Sequence, residues 1–368
     1  MSRMIIEPYP HQLGGHCGSG ALRDLLHWAR LGWDSLPGDG LPSEGLVFGL
    51  GGGLSFMYTR YSGLTPPIYL VGRNGDMELD LCRRLNIQTR RQQTDDPDQA
   101  WHWVKGEIDA GRPVMVWCDI AELPYLRVKL SNTRHDVVVI GYDEDRNTVL
   151  VVDNDREEVQ EVPMDAFRRA HGSRGFPGPN RFATYPMRFP DRLPDLLTCA
   201  REAAASAVRG LGGEDALVFD VSALPKGSIV ACGVAGVERF AEDIGTWHRC
   251  LGEEQVAIAV KSIPVFVEKA GTGGGLFRRL QASFCRDVAQ ATGDSAFAAA
   301  AEVCQRSAEA WSALGQVARA EQVDLQAVSD AARQLPVHEL AMQRALEQAS
   351  QGAQPRQATI DQQHQGSK

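Results

Sequence analysis

The sequence predicts an α+β fold followed by a mainly α-helical second domain. Three observations lead there. Helix-period and strand-type runs fall in blocks: a helical run at 100–110 precedes consecutive apolar β runs at 113–118, 135–142 and 148–152, without regular βαβ alternation. Five prolines (177, 179, 186, 190 and 194) crowd the segment 173–194 and mark a domain boundary. Beyond it the composition turns to Ala, Gln, Glu and Arg in runs of helical period at 196–209, 237–251, 275–292, 295–322 and 325–350. The expected division is a catalytic domain over 1–190, a helical domain over 191–350 and a disordered, Gln-rich tail over 351–368.

Composition narrows the function. With 368 residues, 43% of them hydrophobic, the chain has material for one large core or two smaller ones. A net charge of −9 argues against a general nucleic-acid binder, which would carry a basic excess. Its eight cysteines include no CxxC pair and no Cys/His zinc spacing, so neither a disulfide framework nor a metal site is expected. The start, MSRMIIEPYPHQ, lacks an apolar signal core, and no run reaches membrane-spanning length. The expectation is a cytoplasmic protein, with homo-oligomerisation left open.

Taken in order, a short extended start leads to HQLGGHCGSGA at 11–21. Cys17 stands there between glycines, just ahead of an amphipathic helical run. A helix N-terminus offers unpaired N–H groups and the positive end of the helix dipole, and both favour a thiolate. Residues 43–63, SEGLVFGLGGGLSFMYTRYSG, read as irregular backbone packed closely beside a cavity, because four glycines break the apolar run. The GLGGG lacks both the GxGxxG context of a dinucleotide site and the GKS/T of a phosphate loop. A strand at 66–71 and a helix at 77–85 follow. The runs at 135–142 and 148–152, joined by the turn DEDRN, form a hairpin, with a third strand at 158–162. Strand character at 216–221 and 228–232 interrupts the helical half.

A thiol nucleophile needs a base, and the base needs a group that fixes its tautomer. His135 opens one hairpin strand and Asp153 closes the next, so the two are neighbours that can face Cys17. Asn154 is the alternative orienting group. Cysteine first, then histidine at a strand start, then aspartate after the following strand is the order of a papain-like fold. The oxyanion hole needs a donor besides the Cys17 N–H, for which Gln12 and His11 are the candidates. His16 is expected to point away from the thiol. Glu44 either binds a substrate amine or caps the following segment.

The motifs HCGSGALRDLL, SEGLVFGLGGGLSFMY, HDVVVIGYD and VVDN resemble the N-terminal domain of the butirosin biosynthesis protein H family. VAGVERFAEDIGTW and VEKAGTGGGLFRRLQASF resemble the domain of unknown function that accompanies it, and together the motifs span roughly residues 11–320. The resemblance implies a papain-like acyltransferase of natural-product biosynthesis. Such an enzyme takes an acyl group from a carrier-protein thioester through acyl-Cys17 to an amine. It would bind no cofactor of its own, its substrate arriving on the carrier's phosphopantetheine arm. The first half is also similar to leader-processing cysteine peptidases, which carry Gln six residues before the cysteine; here position 11 is His, and Gln12 is one residue off. Two other readings stand beside it: a peptidase or amide hydrolase with the same triad, and a non-catalytic protein that presents a carrier protein or substrate. Arg83 and Arg84, with Arg90 and Arg91, form a candidate carrier-protein patch, and Arg278 and Arg279 after GTGGG a candidate anion site.

Overall fold

The computed structural model describes residues 3–351 apart from 215, 223 and 323. It is 47% helical and 14% strand, in keeping with an α+β class. The strands are β1 (Arg3–Ile5), β2 (Leu54–Arg60), β3 (Ile68–Arg73), β4 (Gln88–Thr89), β5 (Val114–Cys118), β6 (His135–Asp143), β7 (Thr148–Val152), β8 (Gln160–Pro163), β9 (Thr184–Tyr185), β10 (Met187–Arg188) and β11 (Ile229–Cys232). In the first half the helices are α1 (Cys17–Trp28), α2 (Glu44–Leu50), α3 (Met77–Arg84), α4 (Pro97–Asp109) and α5 (Met164–His171). In the second half they are α6 (Leu196–Leu211), α7 (Gly233–Ile244), α8 (Trp247–Cys250), α9 (Glu253–Glu268), α10 (Arg278–Thr292), α11 (Ser295–Val317), α12 (Leu325–Ala332) and α13 (Leu335–Gln351).

An antiparallel sheet in the order β8-β7-β6-β5-β9, with β1 also paired to β6, carries the hairpin read from the sequence. Its central strand alternates as the pleat requires. Val138 and Ile140 join the core under α1, whereas Val137 and Val139 face the opposite cluster with Val104 and Phe167 of α4 and α5. Strand β9 keeps residues 184–185 in this sheet.

The irregular backbone expected at 43–63 is instead a helix and a strand, α2 and β2. Its glycines do pack closely, but against the second half: a Cβ on Gly49 would lie 1.9 Å from Phe284 Cγ of α10. Bare helix backbone lets α2 and α10 approach, and Ser43 caps α2 by accepting from Leu46 N–H. The segment 228–232 is a strand, β11, which pairs with β2 of the first half in a sheet ordered β11-β2-β3. Residues 216–221 form no strand. Helix α9 lies in a stretch without a helical assignment from sequence. One apolar core runs from Leu22 and Phe48 through Phe284 to Trp247 and Trp311, so the two halves share it. Residues 352–368, nearly all of the expected tail, lie outside the described residues.

Candidate active site

Cys17 is the first residue of α1, with His16 at the N-cap accepting a hydrogen bond from Ser19 N–H. Glu44 holds the loop before it. Its carboxylate accepts from Gly15 N–H and His16 N–H, both at 2.8 Å, and from Ser19 Oγ at 3.0 Å. Neither expected role is what the structure shows for Glu44: Ser43 caps the following helix, and Glu44 instead holds the Cys17 loop. On the other side Asn154 Nδ2 donates to Gly14 O at 3.0 Å, and Gly14 N–H returns a bond to Asn154 O. The GTGGG turn closes the third side. Gly273 N–H donates to Gly15 O, and a Cβ on Gly15 would lie 2.7 Å from Gly273 Cα.

Val138 pairs with Val152, and continuing that register by one residue sets Asp153 on the His135 face, one diagonal step away. The side chains meet: His135 Nε2 lies 2.7 Å from Asp153 Oδ2, which also accepts from Tyr125 Oη at 2.6 Å. Cys17 and His135 line the same cavity, close enough for the imidazole to act on the thiol's ionisation. The structure thus brings Cys17, His135 and Asp153 together.

Charge follows from this geometry. Burial works against a Cys17 thiolate, but the His135 hydrogen bond and charge, the Arg73 guanidinium and the Asp136 N–H outweigh it and lower the thiol pKa. Burial would likewise strip His135 of its proton, yet the Asp153 charge and hydrogen bond, with the Cys17 contact, raise its pKa well above 6.5. Asp153, pushed up by burial, is held below the usual carboxylate range by His135 and Tyr125. The Cys17 and His135 shifts both favour the thiolate–imidazolium form of the pair, with Asp153 beside it. The contrast with other cysteines is sharp: burial pushes Cys82 up to about 12 and Cys199 up to about 11.

Beneath Cys17 sits a second acid group that sequence reasoning missed. Asp136 Oδ2 lies 3.8 Å from Cys17 Sγ. Burial, then the charges of Glu78 and Cys17, raise the Asp136 pKa well above its ordinary value, which favours the protonated carboxyl beside Cys17. Gly18 makes room for it: a Cβ there would lie 2.7 Å from Glu78 Oε1 and 3.1 Å from Asp136 Oδ2. Arg73 approaches Glu78 at 3.9 Å and offsets the acid charge.

Several expected site residues lie elsewhere or play other parts. His11 spends both ring nitrogens on Asp24 Oδ2 (2.6 Å) and Arg156 O (2.7 Å), and Gln12 is exposed; neither lines the cavity at Cys17. Asn154 holds Gly14 with its amide, so Asp153 is the group that orients His135. His16 is buried edge-on against Phe277, its pKa lowered to about 3 chiefly by burial, and it cannot serve as a base near neutrality. Arg278 is no anion site: wholly buried, it pairs with Glu339 at 2.7 Å. Arg279 pairs with Glu268 and donates to Ser312 Oγ. Arg84 is buried between Leu50 O and Ser206, tying α3 to α6, and only Arg83 of that patch's first pair is exposed, paired with Asp80. Among the described residues no group of three or more His, Cys, Asp or Glu is placed to hold a metal, and no helix is long and apolar enough to cross a membrane.

Comparison with known families decides the relationship. The butirosin biosynthesis protein H N-terminal model matches residues 16–154, and the domain of unknown function DUF4872 matches 165–346. The chain belongs to the butirosin biosynthesis protein H-like family. No curated protein sequence matches it. The first match starts at the N-cap of the Cys17 helix and ends just past Asp153, so it contains all three site residues. The second begins before β9, which still belongs to the first sheet. The family's name associates the chain with antibiotic biosynthesis.

Proposed function

We propose that the chain is a cysteine-dependent acyltransferase of natural-product biosynthesis with a papain-like first domain. It would take an acyl group from a carrier-protein thioester to an amine. The observation that carries this reading is Cys17 and His135 lining one cavity with His135 bonded to Asp153 at 2.7 Å, the cysteine pKa being lowered and the histidine pKa raised. No bound cofactor is needed: the acyl group arrives on the carrier's phosphopantetheine arm.

The Cys17 thiolate attacks the thioester carbonyl, and the Cys17 N–H at the first turn of α1 donates to the oxyanion that forms. Collapse breaks the bond to the pantetheine sulfur, which leaves with the proton from His135. This step exchanges one thioester for another and is nearly balanced. Neutral His135 then accepts a proton from the incoming amine as its nitrogen attacks acyl-Cys17, and the Cys17 sulfur departs as the thiolate. Asp153 and Tyr125 hold the ring in place throughout.

The test is intact-protein mass spectrometry with an acyl-N-acetylcysteamine thioester, followed by benzylamine. The expected result is an acyl mass on Cys17 that the amine discharges into an amide. Discharge by water at the same rate, without amide, would make the protein a hydrolase. Full activity in Cys17→Ala, or acyl mass on another cysteine, would overturn the mechanism.

A further inference from the structure

The cavity at Cys17, about 400 Å³, is built from both halves of the chain. Strand β3 and the segment before it supply Leu64, Ile68 and Tyr69, while α9 supplies Phe266 and the N-cap of α10 supplies Phe277. Tyr69 anchors the wall, its ring edge-on to Phe176 at 5.0 Å and Phe266 at 5.5 Å. At the margin the side chains of Val128 and Leu130 are 38% and 56% exposed, so apolar surface lines the cavity and also faces solvent.

The polar groups in this wall are mostly engaged with the protein. Ser131 Oγ donates to Asp119, Thr272 Oγ1 to Val267 O and Asn154 Nδ2 to Gly14 O. Asn154 Oδ1 is buried without a partner, an acceptor beside the Cys17 loop suited to the N–H of an attacking amine. The charged lining leans cationic: Arg73 is offset by Glu78 at 3.9 Å, which leaves Arg134 and Lys269 with Asp155 among the lining residues.

We propose that this chamber receives the acyl group, and that the group is an uncharged aryl or medium-length alkyl acid, not an aminoacyl one. The inference rests on the acyl-enzyme reading and names its substrate class. An apolar acyl group gains by leaving water for this wall. An ammonium-bearing one would be desolvated beside Arg134 and Lys269 with few free acceptors.

The experiment measures the second-order rate of Cys17 acylation by N-acetylcysteamine thioesters of acetate, butyrate, hexanoate, benzoate and 4-aminobutyrate. Iodoacetamide labelling of Cys17 serves as the control for a competent thiol. The rate should rise about two- to four-fold per methylene from acetyl to hexanoyl. Benzoyl should exceed acetyl, and 4-aminobutyryl should react at least about ten-fold more slowly than butyryl. Leu130→Asp, a change at an exposed position, should lower the hexanoyl-to-acetyl rate ratio. Equal rates along the series, or a preference for 4-aminobutyryl, would overturn this inference and leave the acyl-enzyme standing. No acylation by any thioester of a Cys17 that iodoacetamide does label would overturn both.

Discussion

His135→Gln isolates the interaction proposed to make Cys17 reactive. In the native site burial opposes the thiolate, and the imidazolium supplies the largest opposing contributions, through a hydrogen bond and through its charge. The variant leaves burial opposed by Arg73 and the Asp136 N–H. An opposite charge at hydrogen-bond range favours an ionised group by about ten- to a thousand-fold, so the thiolate population at mildly acidic pH falls by that factor. A more basic thiolate is a better nucleophile, which recovers roughly the square root of the loss. Cys17 alkylation by iodoacetamide near pH 6 should therefore slow by about three- to thirty-fold. The assay follows Cys17-peptide labelling from about pH 5 to 9, with the exposed Cys250 as internal reference. The signs are fixed by the two shifts. Cys17 is lowered, so its thiolate forms below the ordinary thiol range; His135 is raised well above 6.5, so the imidazolium survives into neutral pH. Wild-type labelling should already be at a plateau where the variant is still rising with pH. Superimposable profiles, or a wild-type Cys17 that labels only in the ordinary thiol range, would refute the ion pair.

Three other substitutions test the surroundings. Asp153→Asn should slow acyl transfer less than His135→Ala, for which a loss of about 10²–10⁴ in kcat/KM is expected, because the amide can still orient the ring without its charge. Gly15→Ala would set a methyl 2.7 Å from Gly273 Cα, and urea unfolding should read about 1–3 kcal/mol of destabilisation alongside slower Cys17 acylation. Glu339→Gln breaks a wholly buried ion pair with Arg278 and should cost about 3–5 kcal/mol, read as a lowered Tm at neutral pH. The Glu339 pKa is depressed, burial being outweighed by Arg278, Ser307 and Trp311. Its contribution is thus present above the unfolded-state value and lost as pH falls through the folded one, so the wild-type advantage should shrink in acid.

Much of the site was legible because it lies on regular elements. Pleat and register place Asp153 near His135 once the hairpin is recognised, and glycines ahead of an amphipathic run mark Cys17 as a helix start. Asp136 carried a signal as well: in HDVVVI it falls on the same face as the buried Val138 and Ile140, an acid at an interior register. Tyr125 lies in a segment without periodicity, and nothing local pairs it with Asp153 across 28 positions. The arginines were misread for a related reason. Local charge runs look like solvated patches, but Arg84 and Arg278 find their partners 122 and 61 residues away, in helices whose docking sequence period does not reveal. Gly49 and its neighbours obscured α2 because their purpose, room for Phe284, lies in the other half of the chain.

That same long-range dependence bears on why the second half accompanies the first. The Cys17 loop is not held by its own domain alone. Glu44 and Asn154 fix it from within, while Gly273 N–H and the Phe277 ring against His16 fix it from the helical half. Strand β11 extends the sheet that carries Arg73, and α9 supplies Phe266 to the wall of the same cavity. A thiolate at a helix N-terminus needs its turn held rigidly, since the N–H groups that stabilise it must point at one place. Here that rigidity comes from contacts on both sides of the boundary between the halves. The helical half is therefore structurally part of the candidate site: it closes the Cys17 loop and forms one wall of the cavity that Cys17 lines.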